Sequence, residues 1–391
     1  MEQNPMDRQP SKSILHMTSD SKIRFVLIGG FLGAGKTTLI GELARRYMAA
    51  GKRVGIITND QAADLVDTQN LRSQGFQVGE VAGACFCCSF NDLISTADRL
   101  IDQQAPDVLL AEPVGSCTDL VATVVLPLQQ MLGDRFELAP FGVLLKPSHG
   151  LRVLAGRSQS SRSGFSPQAE YIFHKQLEEA DYLMIGRADE LSDEEIDVLK
   201  SRLSEFTGGV PIVAVSPRRG DGVDQVLGYL ESPMIAGRRL LEIDYDTYAQ
   251  GEAELGWVNL SANLSGDTNT IDLDQLAKDL VGNIAEGIRA AEGQIAHLKV
   301  SVAGGDAQAV ANVVSNESPV DVGLAANRRV LGPIQVILNA RVAIDPQVLE
   351  DHCRQGLNLV AGEHSLHVDT VTAHSLRPGR PVPTHRVHSA V

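Results

Sequence analysis

A chain of 391 residues is too long for one ordinary core and predicts two domains with flanking tails. Its formal net charge of −15 and aromatic content of 4% argue against a nucleic-acid partner, which needs a basic surface and stacking platforms. The start MEQNPMDRQP has no apolar leader segment and no later run reaches membrane-spanning length, so a cytoplasmic protein with no membrane partner is expected.

In chain order, residues 1–20 are polar and proline-containing and read as a disordered tail. From Ile23, short apolar runs alternate with helical segments. IRFVLIGG predicts a buried strand, followed by a helix from about Lys36 to Ala50. RVGIITND, DVLLAE, FGVLLK, DYLMIG and VPIVAVS continue the series, which predicts an α/β domain with a parallel sheet over residues 21–236. The serine-rich stretch from Arg157 to Gln168 reads as a long loop, either a functional switch or a tolerated insertion.

Past residue 236 the pattern changes. AELGWVNLSANLSG alternates as a strand, and Leu273, Leu276, Ala277, Leu280, Ile284 and Ile288 mark one helical face that Gly293 ends. AHLKVSV and IQVILNARV alternate as strands, and Asp345-Pro346 reads as the N-cap and first position of a last helix. Residues 250–362 are therefore expected to form a smaller α+β domain, ferredoxin-like in its order of elements. Residues 363–391 are rich in histidine and proline (His364, His367, His374, His385, His388). They read as a solvated tail or docking strand, with metal delivery as the rival.

The strongest motif is GGFLGAGKTT. Gly30, Gly35, Lys36 and Thr37 satisfy the G-x-x-x-x-G-K-[ST] spacing between a predicted strand and helix, as the phosphate-binding loop requires. Backbone N–H groups of Gly33, Ala34, Gly35, Lys36, Thr37 and Thr38 are expected to wrap a β-phosphate at the helix N-terminus. Lys36 then reaches the β- and γ-phosphates, and the Thr37 hydroxyl binds Mg²⁺. Glu112 ends a strand where an acid can hold the Mg²⁺ water shell, and the N–H of Gly115 can sense a γ-phosphate. Asp60 ends the second strand at the same sheet edge and is a further candidate at the metal. Lys36, Glu112 and Asp60 form the expected catalytic set.

Base recognition rests on IGRADEL, where Asp189 can accept from the guanine edge and Arg187 can stack on the base. Ser216, in SPRRGDG, is placed to contact the guanine carbonyl through its backbone N–H. The asparagine of the Asn-Lys-x-Asp guanine motif is missing, so a P-loop ATPase or kinase stays open as an alternative.

VAGACFCCSFNDL places three cysteines within four positions. Cys85 and Cys88 have the C-x-x-C spacing that aims two thiolates at one ion, and a turn is needed for Cys87 to join them. Three soft thiolates suit Zn²⁺ or Co²⁺, with a fourth ligand from elsewhere. A redox pair and inert buried thiols are the rivals. Cys117, two residues after Gly115, is a candidate to complete the set in one nucleotide state, against a packed cysteine or a water ligand.

Together GGFLGAGKTTLI, TND, CFCC, EPVG and QLEEADYLMIGRADEL resemble the CobW-type branch of the metal-handling GTPases, relatives of UreG and HypB, over roughly Ile23 to Leu230. The resemblance implies a low-turnover GTPase that uses GTP and Mg²⁺ and binds Zn²⁺ or Co²⁺ at Cys85, Cys87 and Cys88. It also implies a metalloenzyme or corrinoid-protein client and a homodimer across the nucleotide face. The alternative is a GTP-gated adaptor of a cobalamin-dependent or other metalloenzyme that transfers no metal itself.

Overall fold

The computed structural model describes residues 22–60, 66–154, 166–266 and 270–389, apart from the side chain of Asp60. The tail expected over residues 1–20, and most of the serine-rich loop, lie outside them. The first domain runs β1 (Ile23–Gly29), α1 (Lys36–Ala49), β2 (Val54–Asp60), α2 (Val66–Ser73), β3 (Gln77–Ala82), α3 (Phe90–Gln104) and β4 (Val108–Glu112). It continues through α4 (Leu126–Leu132), β5 (Phe136–Leu138), β6 (Gly142–Leu145), α5 (Pro147–Val153), α6 (Pro167–Glu179), β7 (Tyr182–Ile185), α7 (Asp193–Thr207), β8 (Ile212–Ala214) and α8 (Val223–Leu230). The strands form a parallel sheet in the order β3-β2-β4-β1-β6-β7-β8, with β5 also pairing β1. Helices cover both faces, which is why β4, β6 and β7 are buried at every position rather than at alternate ones. The C-terminal ends of β1, β2 and β4 lie side by side. They bring the phosphate loop, Asn59 and Glu112 to one edge.

Residues 237–244 do not leave the first domain. The N–H groups of Gly237 and Arg238 donate to the buried Asp181 carboxylate at 2.7 and 3.1 Å. The helix α9 (Tyr245–Ala253) then packs on α6. The expected start of the second domain at residue 250 therefore falls inside a helix that belongs with the first.

The second domain comprises β9 (Gly256–Ser265), β10 (Ile271–Asp272), α10 (Leu273–Ala290), β11 (Gln294–Gly304), β12 (Ala307–Val313), β13 (Asp321–Leu324), β14 (Arg329–Val330), β15 (Ile334–Ala343), α11 (Pro346–Glu363) and β16 (His367–Leu376). Its antiparallel sheet runs β13-β12-β11-β15-β9-β16. Without the β12–β13 extension, β9-α10-β11 and β15-α11-β16 form two split β-α-β units with spatial order four-one-three-two, the ferredoxin-like arrangement. One sheet face, with Leu298, Val300, Val302, Val336, Leu338 and Ala340, packs on α10 and α11. Asp345 caps α11 by accepting from Gln347 and Val348, with Pro346 at the first position as expected. The histidine-rich segment departs from a free tail: β16 pairs with β9 along its length and closes the sheet edge.

Candidate functional site

Only glycine fits at Gly30, where a Cβ would stand 2.1 Å from the Leu144 carbonyl oxygen and φ is +138°. Gly35 takes φ 99° as the N-cap of α1 and supplies no side-chain acceptor. The first-turn N–H groups of α1 therefore face the cavity lined by Gly33, Ala34, Gly35, Lys36, Thr37 and Thr38. The Ala34 N–H is already used within the loop, donating to the Phe31 carbonyl at 3.2 Å. The buried Lys36 ammonium donates to the Gly30 carbonyl at 2.9 Å. Burial pushes its pKa down, against the opposing pull of Glu112 and Asp67.

Thr37 Oγ1 lies 2.9 Å from Asp67 Oδ1 and 3.0 Å from Glu112 Oε1. The other Glu112 oxygen is buried with no hydrogen-bond partner. Burial and the neighbouring Asp67 raise the Glu112 carboxyl, to about 7. A hydroxyl and two carboxylates, one with an unused oxygen, make a donor set that fits a hard divalent cation such as Mg²⁺. Asp67, which was not among the expected site residues, is the acid that stands beside Thr37; the side chain of Asp60 lies outside the described residues. Gly115 packs on the phosphate loop, and a Cβ there would stand 3.0 Å from Leu32 N.

At the base end, Asp189 and Ser216 are brought together, and the Ser216 hydroxyl holds the Asp189 carboxyl below its ordinary range. Arg219 stands 3.7 Å from the same carboxylate. Arg187 lines the cavity but pairs with Glu190 at 3.0 Å. The Ser216 N–H donates to the Asp221 carbonyl at 2.9 Å, so here it closes its own turn rather than pointing free to a base.

The cysteines form a turn, as convergence requires. Cys88 and Ser89 N–H groups donate to the Cys85 carbonyl at 3.0 and 2.9 Å, and α3 starts at once. The sulfurs stand 2.8 Å (Cys85–Cys87), 3.3 Å (Cys85–Cys88) and 3.7 Å (Cys87–Cys88) apart. Among the described residues this is the one group of three ligand-type side chains close enough to share an ion. Asn59 ties the turn to β2. Its Nδ2 donates to the Val81 and Ala84 carbonyls at 3.0 and 2.8 Å, and its Oδ1 accepts from Phe86 N–H at 2.8 Å.

Two contributions escaped sequence reasoning. Residues 382–388 cross back to the first domain: Thr384 donates to the carbonyls of Cys87 and Cys88, each at 2.8 Å, and Arg386 pairs with Asp119 at 2.7 Å. The second domain also supplies His297, Lys299, Asn312, Asn339 and Arg341 to the phosphate cavity. Lys299 is ion-paired with Asp67. The signal was present as polar residues on the strand positions that alternate with the apolar face (His297 and Lys299 between Leu298 and Val300). The histidines do not join the cysteines: His364 bonds Asp279 at 2.9 Å, and His385 stacks edge-on against Phe90 with ring centroids 5.0 Å apart.

Residues 24–214 match the family model described as CobW/HypB/UreG, nucleotide-binding domain. The nucleotide-binding domain is of the CobW type, a branch of the P-loop GTPases. The chain is similar to proteins named zinc chaperone CobW from a Sinorhizobium species and from Pseudomonas aeruginosa. Each is 26% identical, over 230 and 234 residues, covering 54% and 52% of this chain. The matches span 63% and 59% of those CobW relatives, so they speak for part of their length. Among solved structures, the Zn(II)-bound YjiA GTPase from E. coli aligns at a TM-score of 0.35 and 15% identity, over 86% of this chain and 99% of that one.

Proposed function

We propose that this chain hydrolyses GTP and couples the cycle to binding and delivery of Zn²⁺ or Co²⁺ at Cys85, Cys87 and Cys88, as a metallochaperone. The observation that carries the reading is Asn59. It lies at the end of the strand beside β4 and holds the cysteine turn by two hydrogen bonds and the neighbouring β3 by a third, so the thiols are mounted on the nucleotide-facing sheet edge.

In this reading Lys36 leaves the Gly30 carbonyl for the β- and γ-phosphates, and the N-terminal N–H groups of α1 bind the β-phosphate. Thr37 and Glu112 would hold a Mg²⁺ ion, whose charge would offset that of the phosphates. Asp67 leaves Thr37 as the nucleotide arrives, and Lys299 is then released toward the incoming negative charge. Asp189 accepts from the guanine edge once Arg219 swings aside. The metal is cargo, and any preference of one nucleotide state for metal must act equally in reverse. The client class implied is a metalloenzyme or corrinoid protein that receives the ion, in the cytoplasm, with a homodimer as the working form. No helix among the described residues is long and apolar enough to cross a membrane.

The test is Zn²⁺ affinity, by competition with a chromophoric chelator, in GDP and in a non-hydrolysable GTP analogue. An affinity ratio of about tenfold or more between the states is expected, within the usual range of coupling energies. Equal affinities overturn the coupling, and no binding overturns the cargo.

A further inference from the structure

The second domain is seated directly on the phosphate loop. A Cβ placed on Gly33 would stand 3.0 Å from Val314 Cβ and 3.4 Å from the Ala296 carbonyl oxygen, so β11 and the residue after β12 lie against the loop. Lys146, just after β6, donates to the Val314 carbonyl at 3.1 Å. At the base end Arg218 pairs with Asp321 at 3.0 Å. Strands of the second domain therefore roof the nucleotide groove from its phosphate end to its base end.

The roof also clasps α2. Lys299 on β11 and Asn339 on β15 are cross-strand partners, and they take hold of two consecutive residues of that helix. Asn339 Oδ1 accepts from the Val66 N–H at 2.9 Å, and the Val66 side chain packs with Val310 and Ile337 in a small buried cluster. Asp67 Oδ1 accepts both from Thr37 Oγ1, at 2.9 Å, and from the Lys299 ammonium. One carboxylate oxygen thus separates a second-domain cation from the hydroxyl that would hold Mg²⁺.

Arg341 lines the same cavity but is committed elsewhere. Its guanidinium donates to the Val258 carbonyl and to Asn259 Oδ1 at 3.1 and 2.8 Å, and lies 4.1 Å from the Trp257 ring centroid. Lys299 differs in kind: it is a point charge on a flexible stem. A buried ammonium that loses its carboxylate needs another anion in its place. The β-phosphate has the N–H groups of α1 and Lys36 beneath it, and the terminal phosphate extends past them toward Thr37 and the roof.

We propose that Lys299 recognises the γ-phosphate, so that the second domain supplies the residue that tells a nucleoside triphosphate from a diphosphate. This rests on the GTPase reading and deepens it. With a triphosphate, the terminal phosphate replaces Asp67 against the ammonium. With a diphosphate, that place stays with Asp67. Asn339 and the Val66 cluster position the strand pair from which Lys299 reaches down.

The experiment measures binding of fluorescent GDP and of a fluorescent non-hydrolysable GTP analogue to the full chain. Lys299→Gln should weaken the analogue about tenfold and GDP little, the loss expected of one charge-assisted contact. Lys299→Arg should recover most of the discrimination. A double variant, Asp67→Asn with Lys299→Gln, leaves no unpaired buried charge from this pair and should show the same loss of preference. A merely structural ion pair would weaken both nucleotides alike or neither. An analogue-to-GDP affinity ratio equal to that of wild type in both Gln-containing variants therefore overturns the inference. Wild type that binds neither nucleotide sinks the GTPase reading, and the inference with it. If Lys299→Gln alone is unstable, the ratio in the double variant decides.

Discussion

Lys299, from the second domain, is ion-paired with Asp67, whose carboxylate also accepts from Thr37 on the phosphate loop. Burial pushes the Asp67 carboxyl up, but Lys299 and His297 overcome it and hold it below its ordinary range. Removing one partner strands a buried charge, whereas removing both does not. Lys299→Gln should therefore cost about 1–3 kcal/mol in urea unfolding. Asp67→Asn placed in the same chain should restore part of that loss. Additive losses in the double-mutant cycle would show that the two side chains do not depend on each other.

Lys36→Ala should reduce phosphate release from GTP at least about 100-fold, in line with loss of a preorganised charge at the transferring phosphoryl group. Among the described residues its Nζ makes one hydrogen bond, to the Gly30 carbonyl, so circular dichroism should show the fold retained. Wild-type turnover in this variant would remove the assignment of the loop.

Asp189→Asn should weaken GTP by about tenfold or more while leaving ATP nearly unaffected, because loss of a base-edge acceptor from a site built for it is costly. Calorimetric titration with both nucleotides separates the outcomes. Equal losses would reduce Asp189 to a partner of Ser216 and Arg219.

Glu179 is buried, accepts from Thr118 and Val121, and is pushed up to about 8 by that burial. A carboxyl raised above its unfolded value binds a proton more tightly in the folded state. Its stabilising contribution is full below the unfolded value of 4.5 and is lost as pH rises toward 8. Thermal unfolding should therefore show stability declining across that window, and Glu179→Gln should flatten the decline. A profile that is the same in both proteins would place the titration elsewhere.

Removing residues 380–391 takes away Thr384 and Arg386, which bridge the cysteine turn and Asp119. Labelling of Cys88 by a chromogenic thiol reagent should then accelerate about tenfold, as expected when a covering segment no longer has to open. Unchanged labelling would mean that the segment rests on the site without sealing it.

The phosphate loop was legible because its chemistry is contiguous: glycines, lysine and threonine act at fixed spacing along one strand–loop–helix. The same holds for the cysteine turn, where three sulfurs share four positions, and for α11, whose start Asp345-Pro346 announces. Periodicity was enough for the parallel sheet, since strands covered on both faces lose their alternation, and for the ferredoxin-like order of the second domain. Residues 363–391 left a solvated tail and a docking strand both open, because a single strand carries no sign of its partner, and the pairing of β16 with β9 decides for the strand.

What tertiary structure alone decided are the meetings between distant segments. Strand alternation put His297 and Lys299 on the face away from α10, but not which surface would cover that face. It is the phosphate loop, and their charge there is balanced by Asp67. Position after Gly115 made Cys117 a candidate, yet its burial in one cluster with Cys85 depends on how whole elements pack, which no local spacing encodes. Short-range rules specify geometry within a few residues of chain, and the closing of loops far apart in sequence is set by the packing of whole elements.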